Sequence, residues 1–301
     1  MTALDLSGTY PAMTTPFEGD GRIDHDQLAA DARRLEPHVD GLVPVGSTGE
    51  SATLSHDEHV EVIETVVDAV DVPVVAGSGS NNTREALELS RRAAAAGADA
   101  LLLISPYYNR PEPEGMLEHY RTVADAVDLP QVVYNVPGRT GRNVAVDTVV
   151  ELAGHRNIRG YKAASGDLGR VSEVIERTRD ETFAVLSGDD GLTLPTLSAG
   201  GVGCISVSAN VEPARTAAMV EAALAGDYER ARRLHHRLGP LFRALFAESN
   251  PIPVKEAMAI RGYGPARLRP PLSRASEATV ERLRAVLADL DEADDGPGTE
   301  A

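Results

Sequence analysis

Two side chains could do covalent chemistry together. Lys162 sits inside the apolar stretch IRGYKAAS, and Tyr134 ends the apolar stretch QVVYN. An ammonium group in such a strand is poorly solvated, so desolvation lowers its pKa. A lysine neutral near pH 7 is the nucleophile that forms a Schiff base with a ketone. Arginine cannot substitute, because it stays protonated. A phenol beside the imine can relay protons to the carbinolamine and the departing water. Ser47 and Thr48, in VGSTGES, could pass protons to Tyr134, and their backbone N–H groups at a strand-to-helix turn could bind a carboxylate. Arg139, after Pro137–Gly138, suits bidentate grip of a second carboxylate. Each of these has a plainer reading in isolation: a strand-end lysine paired with an acid, a buried tyrosine with its hydroxyl satisfied, an arginine in a surface ion pair.

These residues need a scaffold that gathers strand ends. Short Val- and Ile-rich runs at 8–16, 41–47, 72–78, 99–105, 131–137, 158–164, 183–188 and 202–208 predict eight strands. Their near-continuous apolar character suits parallel strands covered on both faces. Helical patterns separate them. Ser55 with Glu58, and Asn82 with Glu85, predict capping boxes, and Gly97 a helix stop. Further helices are predicted near 113–127, 146–153, 167–178, 190–199 and 212–225. The fold class is therefore α/β, a (β/α)₈ TIM barrel over residues 1–225, whose chemistry would sit at the C-terminal ends of the strands. A doubly wound sheet fits less well, for its dinucleotide fingerprint is missing. Helical patterns at 227–247, 253–260 and 274–290 predict a C-terminal extension over 226–290, and an acidic Gly- and Pro-containing tail fills 291–301.

Composition narrows the partners. The 301 residues carry 46 acidic and 29 basic side chains, a formal net charge of −17. That disfavours nucleic acid and anionic membrane surfaces. No run is long and apolar enough for a membrane span, and no signal-peptide pattern opens the chain, so a cytoplasmic protein is expected. Cys204 is the single cysteine, expected as a small buried hydrophobe. The strand ends lack His, Asp and Glu at metal spacing, so no metal is expected. Only two of the basic residues are lysine, Lys162 and Lys255. Adaptation to a salty cytoplasm and an Arg-favouring codon bias both give that imbalance. A melting series in KCl separates them: stability rising toward molar salt marks adaptation, a flat series codon bias. Lys255, in NPIPVK, reads as structural, an anchor of the extension to the barrel.

Together, VGSTGESATL at 45–54, SPYYNRP at 105–111, YNVPGRTG at 134–141, GYKAASGD at 160–167, LSGDD at 186–190, GVGCISVSAN at 201–210 and SNPIPVK at 249–255 resemble the dihydrodipicolinate synthase family, within the N-acetylneuraminate lyase group of class I aldolases. The resemblance spans about residues 8 to 290. It implies that Lys162 forms a Schiff base with pyruvate, that the enamine adds to L-aspartate 4-semialdehyde, and that no cofactor is needed. It implies that Thr48, Gly188 and Ile205 hold pyruvate and line its pocket, and that Arg139 grips the semialdehyde carboxylate. Its proton relay is Thr–Tyr–Tyr. Tyr134 and Tyr108 match the tyrosines, Tyr108 serving the neighbouring subunit, while the threonine position is Ser47, which keeps the hydroxyl and loses the χ1-restricting methyl. A serine there also resembles the sialic-acid lyase branch, so a pyruvate aldolase for a sugar acid is the alternative; Arg139 weighs against it. The resemblance further implies a homotetramer built as a dimer of dimers, and an allosteric L-lysine site at Ser51, Ala52, His56, His59, Asn81, Glu85 and Tyr107. His56 and His59, spaced i, i+3, are expected to share a helix face.

Overall fold

The computed structural model describes residues 4–292. Seven parallel strands form one sheet in the order β1-β7-β6-β5-β4-β3-β2. They are β1 Gly8–Pro11, β2 Val75–Gly77, β3 Ala100–Ile104, β4 Gln131–Asn135, β5 Ile158–Ala163, β6 Ala184–Ser187 and β7 Gly203–Ser206. The eighth predicted strand, 41–47, closes the barrel between β1 and β2 without forming a ladder of its own. It makes isolated bridges, Val43 to Ala12 and Leu42 to Val74. The Val43 N–H donates to the Pro11 carbonyl at 2.9 Å, and the Val75 N–H to the Leu42 carbonyl at 2.8 Å. The ladder stops because Pro44 has no N–H to donate and Val45 turns the chain at φ 51°. The strands are otherwise shorter than the apolar runs that foretold them.

Alternation along each strand sorts the side chains into two layers. Tyr10, Val43, Val75, Leu102, Val132, Tyr134, Leu186 and Ile205 fill the barrel interior. Leu101, Leu103, Val133, Tyr161 and Val185 face the surrounding helices. On β5 this parity turns Tyr161 outward and Lys162 inward. A third cluster joins the extension to the end of the barrel, with Leu238, Leu241, Phe242, Val254, Ala257 and Leu283 among its members.

The helix His56–Val67 opens with the expected capping box of Ser55 and Glu58. The helix Thr83–Ala95 is capped by Asn82, which accepts from the Arg84 N–H, but the box is not completed. Glu85 instead accepts a hydrogen bond from the Ser80 hydroxyl at 2.9 Å, while the Asn82 N–H donates to the same Ser80 oxygen at 3.2 Å. Gly97 has φ +93°, the left-handed stop its position predicted. The helix His25–Leu35, between β1 and residue 41, was not singled out in the sequence; its apolar stripe, Leu28, Ala32 and Leu35, is short and flanked by charge. The extension comprises helices Tyr228–Leu245, Ile252–Ile260 and Glu277–Glu292. The acidic tail is expected from Asp291. That residue belongs to the final helical turn, and its carboxylate pairs with Arg261 at 2.7 Å. The rest of the predicted tail, 293–301, lies outside the described residues. No helix among the described residues is long and apolar enough to cross a membrane.

Candidate active site

Register brings the two chemical side chains together. Lys162 on β5 stands opposite Tyr134 on β4. The Lys162 Nζ lies 4.2 Å from the centroid of the Tyr134 ring. Lys162 is only 5% exposed. Burial pushes its pKa down to about 7, while the carboxylate of Asp190 pulls the other way. Burial raises the Tyr134 phenol, and Arg139 and the Ser47 hydroxyl partly offset that. The phenol therefore keeps its proton near neutral pH and can donate it.

Both groups open into a cavity of about 380 Å³ at the C-terminal end of the strands. Ser47, Thr48, Arg139 and Gly188 also line it. Gly188 is a close-approach glycine: a Cβ there would lie 2.9 Å from Lys162 Cε and 3.0 Å from Ala164 Cβ. Gly188→Ala should displace the lysine side chain, raising about tenfold the half-saturating concentration of the pyruvate that the resemblance implies, since small misplacements of a reacting group are costly. Titrating pyruvate against the alanine variant checks this; an unchanged midpoint would show that the lysine has room to spare. Ile205 is buried with the barrel interior and is not among the cavity-lining side chains.

Five further contributors are not assigned by the sequence alone. Asn250, from the extension, donates from Nδ2 to the Thr48 hydroxyl at 2.9 Å. Its carbonyl accepts from Arg139 Nη2 at 2.6 Å, which fixes the guanidinium at the cavity wall. Asp190 is buried and accepts from the Ser206 hydroxyl at 2.5 Å and from the backbone N–H groups of Val207 and Ser208 at 3.1 and 2.9 Å. It thereby ties the loop after β6 to the end of β7, and it is the acid that acts on Lys162. Phe242, Arg243 and Phe246 close the cavity from the first extension helix. The only signals were the short motifs SNPIPVK and LSGDD, which carry no spacing rule linking them to residue 48 or 162.

Tyr108 is not brought to the cavity. It is 91% exposed and held at φ 69°, a left-handed conformation unusual for an aromatic residue. The seven residues of the expected L-lysine site lie on the Ser51–Thr53 turn, the loops after β2 and β3 and the first turns of the helices His56–Val67 and Thr83–Ala95. Ser51 begins a short 3₁₀ turn, Ser51–Thr53, and Ala52 is exposed. The Asn81 carbonyl accepts from Asn109 Nδ2 at 3.0 Å, linking the two loops. Tyr107 is exposed beside them. The histidines are neighbours on the helix His56–Val67 but differ in exposure. His56 is exposed, whereas His59 is buried with Nε2 2.6 Å from the Gly77 carbonyl, and burial lowers its pKa. Among the described residues, no three His, Cys, Asp or Glu side chains converge as a metal cage requires. Cys204 is buried in the barrel wall, its thiol pushed up to about 12 by burial.

Comparison with known proteins identifies the family and the fold. The model of the dihydrodipicolinate synthetase family matches residues 5–290. A 4-hydroxy-tetrahydrodipicolinate synthase of Haloarcula marismortui is 71% identical over 296 residues, covering 98% of this chain and 97% of that one. A crystal structure of a dihydrodipicolinate synthase, 48% identical, superposes with a TM-score of 0.92 over 95% of this chain and 99% of that one. The enzyme of Cyanidioschyzon merolae, solved with lysine bound, is 38% identical with a TM-score of 0.90 over 95% and 98%. The family match runs from before β1 into the last helix and takes in the whole barrel and nearly all of the extension, and this chain belongs to the dihydrodipicolinate synthetase family.

Proposed function

We propose that this chain is a Schiff-base lyase that condenses pyruvate with L-aspartate 4-semialdehyde to 4-hydroxy-tetrahydrodipicolinate, a step of lysine biosynthesis through diaminopimelate. One observation carries the reading: a buried lysine with a pKa near 7, against a protonated tyrosine, in a cavity whose wall holds an arginine. The neutral Lys162 amine adds to the keto carbon of pyruvate. Tyr134 protonates the carbinolamine oxygen, which leaves as water, and Ser47 returns the proton. The iminium then accepts the electrons released when a methyl proton is lost, so the enamine forms with no cofactor or metal as electron sink. The enamine carbon attacks the aldehyde. The amine of the semialdehyde then displaces Lys162, which closes the ring and regenerates the enzyme. Thr48 and the backbone around Gly188 hold the pyruvate carboxylate, with Ile205 backing the pocket from the barrel interior, and Arg139 holds that of the semialdehyde. The position of Arg139 on the cavity wall favours this substrate over a sugar acid, which would place no carboxylate there.

Borohydride with pyruvate should reduce the imine and leave a stable three-carbon adduct on Lys162, read by mass spectrometry of the peptide. A coupled assay should then show turnover with aspartate 4-semialdehyde and none with 2-keto-3-deoxygluconate. Absence of any adduct would reject the Schiff-base reading, and cleavage of the sugar acid alone would replace the substrate.

The reading extends to assembly, location and control. Tyr108 completes the relay of a neighbouring subunit in a cytoplasmic homotetramer, a dimer of dimers; its exposure and left-handed backbone support this. L-Lysine is the feedback inhibitor, held at the loops that carry Ser51, Ala52, His56, Asn81, Glu85 and Tyr107, with His59 supporting from beneath. Glu85 pairs with its ammonium group and Tyr107 with its carboxylate. The lysine-bound relative of the same fold supports this. Titration calorimetry with L-lysine should give saturable heat that Glu85→Ala removes. No heat and no change in turnover at millimolar lysine would reject the site.

A further inference from the structure

Lys255 is the second lysine of a chain that otherwise uses arginine, and the reaction does not employ it. It is buried in the helix Ile252–Ile260 of the extension. Its Nζ donates to the Thr15 carbonyl at 2.6 Å and to the Arg267 carbonyl at 2.7 Å, and forms an ion pair with the Glu50 carboxylate. The Phe17 ring centroid lies 4.3 Å away. Three acceptors around one nitrogen match the three protons of an ammonium group. A planar guanidinium cannot meet them from one point, which explains why arginine has not replaced this residue.

Glu50 is three residues beyond Ser47 in the loop that carries the relay hydroxyl and the pyruvate subsite. It is buried and held at φ 55°, a left-handed conformation that a glutamate keeps only where its surroundings impose it. Those surroundings come from outside the loop. Besides the Lys255 pair, its carboxylate accepts from the Arg269 N–H at 3.0 Å. The Thr15 hydroxyl donates to the Gly49 carbonyl at 2.7 Å, so Lys255 grips both the loop and the segment the loop rests on. Within the loop, the Glu50 N–H donates to the Ser47 carbonyl at 3.2 Å. A shift at Glu50 is therefore passed to Ser47 and Thr48 through one short turn.

We propose that Lys255 and Glu50 are a positioning pair that sets the Ser47–Thr48 loop against the pyruvate end of the cavity, making the C-terminal extension part of the substrate-binding apparatus. This deepens the pyruvate-site reading above and rests on it. The test is pyruvate titration with borohydride trapping at Lys162, beside thermal melting, on the full chain. The double variant Lys255→Met with Glu50→Gln removes both charges together and so avoids a stranded buried carboxylate. Its half-saturating pyruvate should rise about tenfold or more, at temperatures where it is fully folded, while saturating pyruvate still labels Lys162. Glu50→Gln alone, which weakens a charge-assisted tie without removing it, should raise the midpoint about threefold. A folded double variant with the unaltered midpoint would overturn the proposal and leave the pair a matter of stability only. Should the double variant fail to fold, the single variant decides, and an unaltered midpoint there overturns it. Failure of the unsubstituted protein to trap pyruvate is a separate outcome, which removes the pyruvate reading and this proposal with it.

Discussion

Lys162→Arg is expected to abolish pyruvate trapping and reduce turnover by at least about 10⁴-fold, as removal of a covalent nucleophile does. The arginine would fit poorly between Tyr134 and Gly188, but sterics are the lesser cause. A guanidinium does not give up its proton, so no free electron pair reaches the keto carbon. Lys162 does so because burial lowers its pKa to about 7, which leaves a large neutral fraction at neutral pH. The same value sets the acid limb of the pH profile. Below about 7 the amine is protonated, and the trapping rate should fall roughly tenfold per unit. Stability carries the opposite mark of this design. The folded chain binds the Lys162 proton more weakly than the unfolded chain, so this residue makes stability rise with pH from about 7 toward the ordinary lysine range. Below about 7 the folded state bears the full cost of a buried charge. Lys162→Met should therefore be inactive yet melt at a higher temperature than the parent at pH 6. Calorimetry at pH 6 would detect this, and a lower melting temperature would mean that Asp190 compensates the ammonium fully.

Tyr134→Phe is expected to lower kcat between about 10²- and 10⁴-fold, the range of a positioned general acid–base group. The phenyl ring can occupy the same space between the β4 ladder and Lys162, so pyruvate should still bind, and the melting temperature should change little. What is lost is the proton that turns the carbinolamine hydroxyl into water. Rapid-mixing experiments should accordingly show slow approach to the imine rather than a smaller final amount. Ser47→Ala should give a milder loss, because Tyr134 can still exchange its proton with solvent in the cavity. A Tyr134→Phe enzyme within threefold of the parent would remove the phenol from the relay.

The residues that could be read in the sequence were those whose type alone demands an explanation. Lys162 stood out because an amine in an apolar strand is costly unless used. Tyr134 stood out because it ends the neighbouring strand. Asn250 and Asp190 did not, for neither is unusual in its own segment. Asn250 reaches Thr48 across 202 positions of chain, and nothing in a local pattern records such a contact. The strand expected at 41–47 was misjudged in part because apolar character reports burial, whereas a ladder also needs an N–H that Pro44 lacks. Helical spacing likewise makes His56 and His59 neighbours, but it does not record that a carbonyl of β2 holds one of them in the interior.

The amino-acid sequence by itself determined the barrel, through the alternation of apolar strands and capped helices, and the chemistry available to it, through one lysine and one tyrosine that must meet if the strands are adjacent. These follow from local patterns, which any chain of this order would express. The tertiary structure decided the rest. It set how far the pKa of Lys162 falls, because desolvation depends on the full shell of neighbours. It turned Tyr108 away from the chain's own cavity. It gave Lys255 three acceptors, two of them from distant segments of the barrel, and a place beside the Ser47–Thr48 loop, a role that exists only once the extension has packed against the barrel.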